Sequence, residues 1–328
     1  MDKNAVMPVT IITGFLGAGK TTLLNEILQQ NANTNFLIIE NEAGNVNIDG
    51  GLIKGNDQNR VFELTSGCIC CSLNTELGTL LNSIILSKTK YDHVIIEATG
   101  MADPGQIIST FTGNRVQKYF SLDSVVCMVD AESFVNRVTK FREAYSQIAQ
   151  SERIIINKTD LISEEKMIEV EEKIASINPF AVVQKTTFGK IEDVDILNSG
   201  LFQPKKTEES IIDFSNLSLA TSNNNHAHQI QTLTFSIPGA FDMEKVSLWL
   251  EEFLLDKTHY ILRIKGILSI DDMKHKIIIQ SVGKDYHITQ GSRWAEDEIR
   301  ESRIVFIGTG LKEDEIKQGI NSSELMKS

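Results

Sequence analysis

Between residue 8 and about residue 200, short unbroken apolar runs alternate with stretches whose apolar positions recur at helical spacing. The runs include Val9-Thr10-Ile11-Ile12, Phe36-Leu37-Ile38-Ile39, His93-Val94-Ile95-Ile96, Val125 to Val129, and Arg153-Ile154-Ile155-Ile156. Successive side chains of a strand point to opposite faces, so a run that is apolar at every position needs cover on both sides. Thr21 to Leu28 shows the three- and four-residue repeat of a helix packed along one face. This alternation predicts an α/β fold: a doubly wound, mostly parallel sheet with helices on both faces.

The pattern changes after residue 203. Pro204-Lys205-Lys206 and Thr221-Ser222-Asn223-Asn224-Asn225-His226-Ala227-His228 are polar and rich in turn formers, which predicts an exposed linker over 204–228. Beyond it, Gln229 to Ile237, Tyr260 to Ile270, Lys276 to Val282 and Ile304 to Ile307 read as strands, and Phe241 to Leu255 as an amphipathic helix. The expected division is therefore a P-loop domain at 1–203, a linker, and a smaller α+β domain at 229–328. No internal repeat is visible.

Bulk composition narrows the partners. The chain has 328 residues, 41% hydrophobic and 23% charged, as in soluble globular proteins, with room for two cores. A net charge of −12 argues against free nucleic acid as the main partner. No apolar run reaches the ~18 residues of a membrane span, and the start Met-Asp-Lys-Asn has no secretion-signal pattern, so a cytoplasmic location is expected.

The first chemical signature is Gly14-Phe15-Leu16-Gly17-Ala18-Gly19-Lys20-Thr21, which fits G-x-x-x-x-G-K-[ST] between a strand and a helix. In that context the backbone N–H groups of Gly14, Gly17, Ala18 and Gly19 and the helix dipole form an anion cradle. Lys20 reaches the β- and γ-phosphates, and the Thr21 hydroxyl serves Mg2+. Asn157-Lys158-Thr159-Asp160, after another strand, is N-K-x-D. The Asp160 carboxylate can accept from both guanine N1–H and the exocyclic amine, whereas adenine would leave a buried Asp160 unpaired. The Lys158 stem can lie over the base. Together these predict GTP and GDP as ligands. Glu97 ends the run His93 to Ile96, with Gly100 three residues on: a carboxylate for Mg2+ and an N–H for the γ-phosphate. Asp49, in the glycine-rich segment after the second strand, is a candidate for orienting the attacking water.

The second signature is Gly67-Cys68-Ile69-Cys70-Cys71, which holds three of the four cysteines. Thiolates select Zn2+ and similar transition metals over Mg2+. Three of them leave a tetrahedral ion one open position, the arrangement of a transfer site rather than a closed structural one. Glu40 and Glu42, two residues apart after the second run, share a strand face, and either can supply the oxygen ligand. A thiol redox switch is the rival reading of the same cluster. Cys127, inside an apolar run, reads as a buried strand residue. His226 and His228 fall in the linker, and the other histidines show no ligand spacing.

Taken in order, the phosphate loop extended by Thr22, Glu40-Asn41-Glu42, the C-x-C-C cluster, Glu97-Ala98-Thr99-Gly100-Met101-Ala102-Asp103-Pro104, Asn157-Lys158-Thr159-Asp160, Lys265-Gly266 and Arg303 to Gly308 resemble the CobW-like P-loop GTPases, in particular bacterial YjiA-type members. These are metallochaperones or metalloprotein activators. The resemblance implies that Thr22 helps hold the α-phosphate. It also implies that Cys68, Cys70 and Cys71, with a carboxylate from Glu40 or Glu42, bind Zn2+ or a related divalent metal. Related GTPases insert nickel into client metalloproteins and dimerise while doing so, which implies a client and a homodimer here. Ala43 stands where the family has an aromatic residue, and the long histidine-rich tract of many members is reduced to His226 and His228. A slow, zinc-responsive GTPase is the resulting expectation. The rivals are a zinc sensor or buffer tuned by bound GTP, and a small-molecule kinase on the same loop.

Overall fold

The computed structural model describes residues 6–42, 60–65, 72–87, 90–112, 115–191, 196–202 and 230–323. The chain divides into two compact units, one of Met1–Ile174 with Ala181–Pro204, the other of Ala175–Phe180 with Lys205–Ser328.

In the first unit the elements run β1 (Met7–Gly14), α1 (Lys20–Gln30), β2 (Phe36–Glu42), β3 (Arg60–Thr65), α2 (Ser72–Leu86), β4 (His93–Glu97), α3 (Pro104–Thr112), β5 (Phe120–Asp130), α4 (Phe134–Lys140), α5 (Arg142–Ala149), β6 (Arg153–Asn157), α6 (Glu164–Ile177) and β7 (Val182–Lys185). The strands form one sheet in the order β3-β2-β4-β1-β5-β6-β7, and every neighbouring pair is parallel. The five apolar runs of the sequence are the five strands β1, β2, β4, β5 and β6. Val9, Ile11, Ile12, Ile38, Ile95, Val126 and Ile155 are fully buried, as cover on both faces requires. Leu23, Leu24, Ile27 and Leu28 of α1 pack with Ile12, Ile38 and Val126. The doubly wound parallel expectation is met.

In this topology β1 lies between β4 and β5, so the chain leaves its carboxyl end where connections diverge to opposite sides of the sheet. Ligands of open α/β sheets bind at such a crevice. The segments that follow β1, β4, β5 and β6 all emerge along this edge.

The second unit holds β8 (Ile230–Pro238), α7 (Met243–Leu255), β9 (Tyr260–Leu268), β10 (His275–Val282), β11 (Asp285–Arg293), β12 (Glu301–Thr309) and α8 (Glu313–Ser323). Its sheet, ordered β11-β10-β9-β12-β8, is antiparallel throughout. The core joins Val246, Leu250 and Leu254 of α7 and Ile316 and Ile320 of α8 to Ile264, Ile279 and Phe306 of the sheet. Asp242 caps α7 by accepting from Glu244 N and Lys245 N, so the helix starts two residues later than its periodicity suggests. Phe241, expected in its first turn, instead bridges Ile270. Among the described residues, no helix is long and apolar enough to cross a membrane.

Candidate nucleotide and metal site

The phosphate loop is fitted to its surroundings by two glycines. Gly14 ends β1 with φ +134°, and a Cβ there would lie 2.3 Å from the Met128 carbonyl oxygen of β5. Gly19 (φ +106°) precedes α1, and its Cβ would stand 2.5 Å from Asn157 Nδ2. The loop can pass this close to β5 and β6 only without side chains at these points. α1 begins at Lys20 with no side chain capping it, so its first amides remain available to an anion.

Two oxygen donors already meet beside this helix start: Thr21 Oγ1 donates to Glu97 Oε1 at 2.8 Å. Glu97 is the last residue of β4, and Ala98 N donates to Ile12 O, which fixes the strand end against β1. A hydroxyl and a carboxylate are the hard oxygen ligands that Mg2+ takes together with waters and phosphate oxygens, so these residues fit that ion.

The N-K-x-D segment divides its work. Asn157 is 3% exposed. Its amide donates to Ala18 O at 2.9 Å and its oxygen accepts from Gly189 N at 3.0 Å. It therefore braces the phosphate loop against the turn after β7. Lys158 is held in the left-handed region (φ 61°), and its ammonium pairs with Asp130 Oδ2 at 2.9 Å. Asp130 is 6% exposed at the end of β5. Burial pushes its carboxyl up, but the Lys158 hydrogen bond and charge, together with bonds from Ser133 and Glu132 N, outweigh this and hold it below the ordinary value. Thr159 Oγ1 meets Thr186 O and Thr187 Oγ1 at 3.2 and 3.0 Å. Asp160 is exposed, which corrects the picture of a buried carboxylate: it loses water only when a base covers it.

On the adjacent strand, Glu40 is 3% exposed and stands in register with Glu97 of β4 on one side and Glu63 of β3 on the other. In-register residues of neighbouring strands lie on the same face about 5 Å apart. The candidate metal carboxylate is thus next to the candidate Mg2+ carboxylate. Glu42 pairs with Thr65 at the end of β2. Asp49, Cys68, Cys70 and Cys71 lie outside the described residues. Among the described residues, no group of three or more His, Cys, Asp or Glu forms a metal site. Cys127 is buried in β5, and burial raises its thiol to about 12 despite the lowering effects of Lys20 and Ser151.

Several supporting residues escape the sequence motifs. Asp130 ends an apolar run as Glu97 does, which is the one signal that could have found it. Arg137 of α4 donates from Nη1 to Leu16 O at 2.7 Å and lies 5.0 Å from the Phe15 ring centroid. Gln147 of α5 donates to both Gly100 O and Ala102 O. The turn Thr186 to Gly189 carries no motif of its own.

Known proteins share this arrangement. Residues 8–184 match CobW/HypB/UreG, nucleotide-binding domain, and residues 230–324 match Cobalamin synthesis protein cobW C-terminal domain. The chain is 36% identical over 320 residues to Zinc chaperone YjiA of Escherichia coli (strain K12), covering 94% of this chain and 96% of that one. It is 32% identical over 300 residues to Zinc-regulated GTPase metalloprotein activator 1 of Schizosaccharomyces pombe, covering 81% and 73%. The crystal structure of Zn(II)-bound YjiA GTPase from E. coli aligns with a TM-score of 0.74, with 30% identity over 98% of this chain and 100% of that one. With both of its compact units matched in order, the chain belongs to the CobW/HypB/UreG family, with a CobW C-terminal domain.

Proposed function

We propose that the protein is a slow GTP hydrolase that couples GTP binding and hydrolysis to the binding and delivery of a divalent transition metal, zinc foremost. The observation that carries this reading is the shared edge of β2 and β4: Glu40 stands in register with Glu97, and Glu97 already holds the Thr21 hydroxyl. A metal ligand and a nucleotide ligand one strand apart cannot be indifferent to each other's charge.

Lys20 and the loop amides stabilise charge on the phosphoryl oxygens, and Thr22 lies toward the α-phosphate. Thr21 and Glu97 would hold Mg2+, which would supply neutralisation of phosphate charge. Gly100 N–H follows the γ-phosphate. Asp160 reads guanine over a Lys158 stem tethered by Asp130. Asp49 orients the attacking water, so water is positioned more than activated. Cys68, Cys70 and Cys71, with Glu40 or Glu42, hold the cargo metal. Domain division at 1–203, 204–228 and 229–328 leaves the second domain to recognise or guard a client metalloprotein, with a homodimer as the acting form. Free guanine nucleotide, metal and client are the partners, in the cytoplasm, without nucleic acid or membrane.

The test is phosphate release from GTP, measured with and without Zn2+, for the parent protein and for Cys68→Ala/Cys70→Ala/Cys71→Ala. Turnover that responds to zinc in the parent and not in the variant supports the coupled cycle. Zinc binding without any turnover would leave a sensor or buffer instead.

A further inference from the structure

We propose that Gln147 positions the segment that follows β4, and through it sets the preference of the site for GTP over GDP. The inference rests on the nucleotide reading above.

The segment from Ala98 to Asp103 is neither helix nor strand, and its shape is set by the groups that bond to it. Its start is fixed to β1 by Ala98 N on Ile12 O, and Ala102 N closes a turn onto Thr99 O. Its remaining anchors come mostly from α5 and from Gln150 just past the end of that helix. Gln147 Nε2 donates to Gly100 O and to Ala102 O, both at 3.1 Å. Asp103 Oδ1 accepts from Gln150 Nε2 at 2.7 Å, Ser146 Oγ at 3.1 Å and Gly105 N at 2.9 Å. Gln147 and Gln150 are each 1% exposed. The two glutamine side chains are therefore withdrawn from water, where an unmatched donor is costly.

Gly100 makes the clamp consequential. With no side chain, its torsions are restricted mainly by what its backbone touches. Its carbonyl is on Gln147. Its Cα is so close to the phosphate loop that a Cβ would lie 2.6 Å from Leu16 N. Leu16 is held from its other side by Arg137 on its carbonyl. Gly100 thus sits between α5 and the phosphate loop, with its carbonyl held by one glutamine amide while Thr99 O and Met101 N on either side bond within the turn. The γ-phosphate, which distinguishes GTP from GDP, acts on this kind of segment in nucleotide switches. Gln147 also borders a small cavity with Phe15, Asp130 and Arg137. A glutamine that only filled the core would hold both nucleotides equally well. A positioning glutamine acts on one.

The experiment compares affinities for GDP and for a non-hydrolysable GTP analogue in the parent, Gln147→Met, Gln147→Glu and Asp103→Asn. Methionine keeps the length and removes both donors, and glutamate places acceptors against two carbonyls. We expect Gln147→Met to bind GDP within twofold of the parent and the GTP analogue about tenfold more weakly, with kcat for GTP falling at least as far. Asp103→Asn, which weakens the neighbouring anchor, shifts the ratio in the same direction by less. An analogue-to-GDP ratio within twofold of the parent in every variant that binds GDP overturns the proposal. If Gln147→Met and Gln147→Glu lose GDP binding through misfolding, Asp103→Asn decides alone by the same criterion. Asp160→Asn run in parallel separates the two failures. If Asp160→Asn leaves guanine binding unchanged, the nucleotide reading itself falls; if it abolishes GTP binding while the ratios stay flat, only the role of Gln147 does.

Discussion

At the phosphate end of the cleft, Gly14 has no room for a methyl group, Asn157 is buried between two loops, and Thr21 is already bonded to Glu97. At the base end, Asp160 lies in solvent and Phe188 is 72% exposed. The loops that carry these two are held from behind, by Lys158 on Asp130 and by Thr159 on Thr186. One end is assembled before any ligand arrives; the other is finished by the ligand. Substitutions at the first should therefore reach chemistry and folding, and those at the second should reach affinity and base choice alone.

The sharpest break in that contrast comes from Lys20→Ala. It should lower GTP turnover by about 10^3-fold or more, with an unchanged circular-dichroism spectrum. A lost spectrum would make Lys20 a structural residue rather than one that serves the phosphates. Next in size, Gly14→Ala drives a methyl group toward the Met128 carbonyl 2.3 Å away. Urea unfolding should show a loss of about 3 kcal/mol. A variant as stable as the parent would mean that the loop is not fitted to β5 at all.

At the other end, Asp160→Asn should weaken GTP by about 10^2-fold and favour xanthosine triphosphate, whose ring carbonyl accepts the new amide donor. Because Asp160 is exposed, the urea midpoint should not move. Equal binding of ATP and GTP by the parent protein would remove the base-reading role. The same variant, loaded with xanthosine nucleotides, also locates the metal coupling. Zn2+ should still bind with about tenfold different affinity in the triphosphate and diphosphate states, about 1.4 kcal/mol shared reciprocally between the ligands. The coupling belongs to the phosphate end and should vanish on replacing Cys68, Cys70 and Cys71. Identical zinc affinities in all nucleotide states would leave two unrelated sites.

The smallest effect expected is at Asp130. Lys158 is 35% exposed, so solvent screens this ion pair, and Asp130→Asn should weaken GTP and GDP alike by no more than about fivefold. A carboxyl whose folded value is lowered gives stability that is complete above its unfolded value of 3.8 and lost as pH falls through the folded one. GDP affinity should accordingly show no inflection from Asp130 between pH 8 and 5. An inflection that disappears in Asp130→Asn would contradict the pairing with Lys158.

Contiguous chemistry was legible in the sequence. The glycine loop, Glu97 and N-K-x-D each lie within a few residues of a buried strand, and continuous Val/Ile runs mark those strands without ambiguity. Strands at sheet edges were harder to see. The β7 residues Val182 and Val183 and most of β11 are exposed or half-buried, so burial imposes no clear alternation on them. Bonds between distant residues were not legible at all. Arg137 lies 121 residues from Leu16, and Gln147 lies 47 from Gly100. Only the strand order brings these side chains to the carbonyls they serve, and a carbonyl leaves no trace in a sequence. The same holds for Glu40: its burial and its register with Glu97 come from β2 pairing with β4 rather than with β1.

The two hydrogen bonds of Asn157, one to Ala18 behind it and one from Gly189 ahead of it, also have a consequence for how the chain is made. Ala18 leaves the ribosome 139 residues before the asparagine that braces its carbonyl. At ~5–20 residues per second this is roughly 7 to 28 s of synthesis. Throughout that interval the glycine loop exists as sequence without its brace, and the turn at Gly189 is later still. The growing polypeptide thus carries the most recognisable nucleotide signature in the molecule well before it has a pocket able to hold a nucleotide.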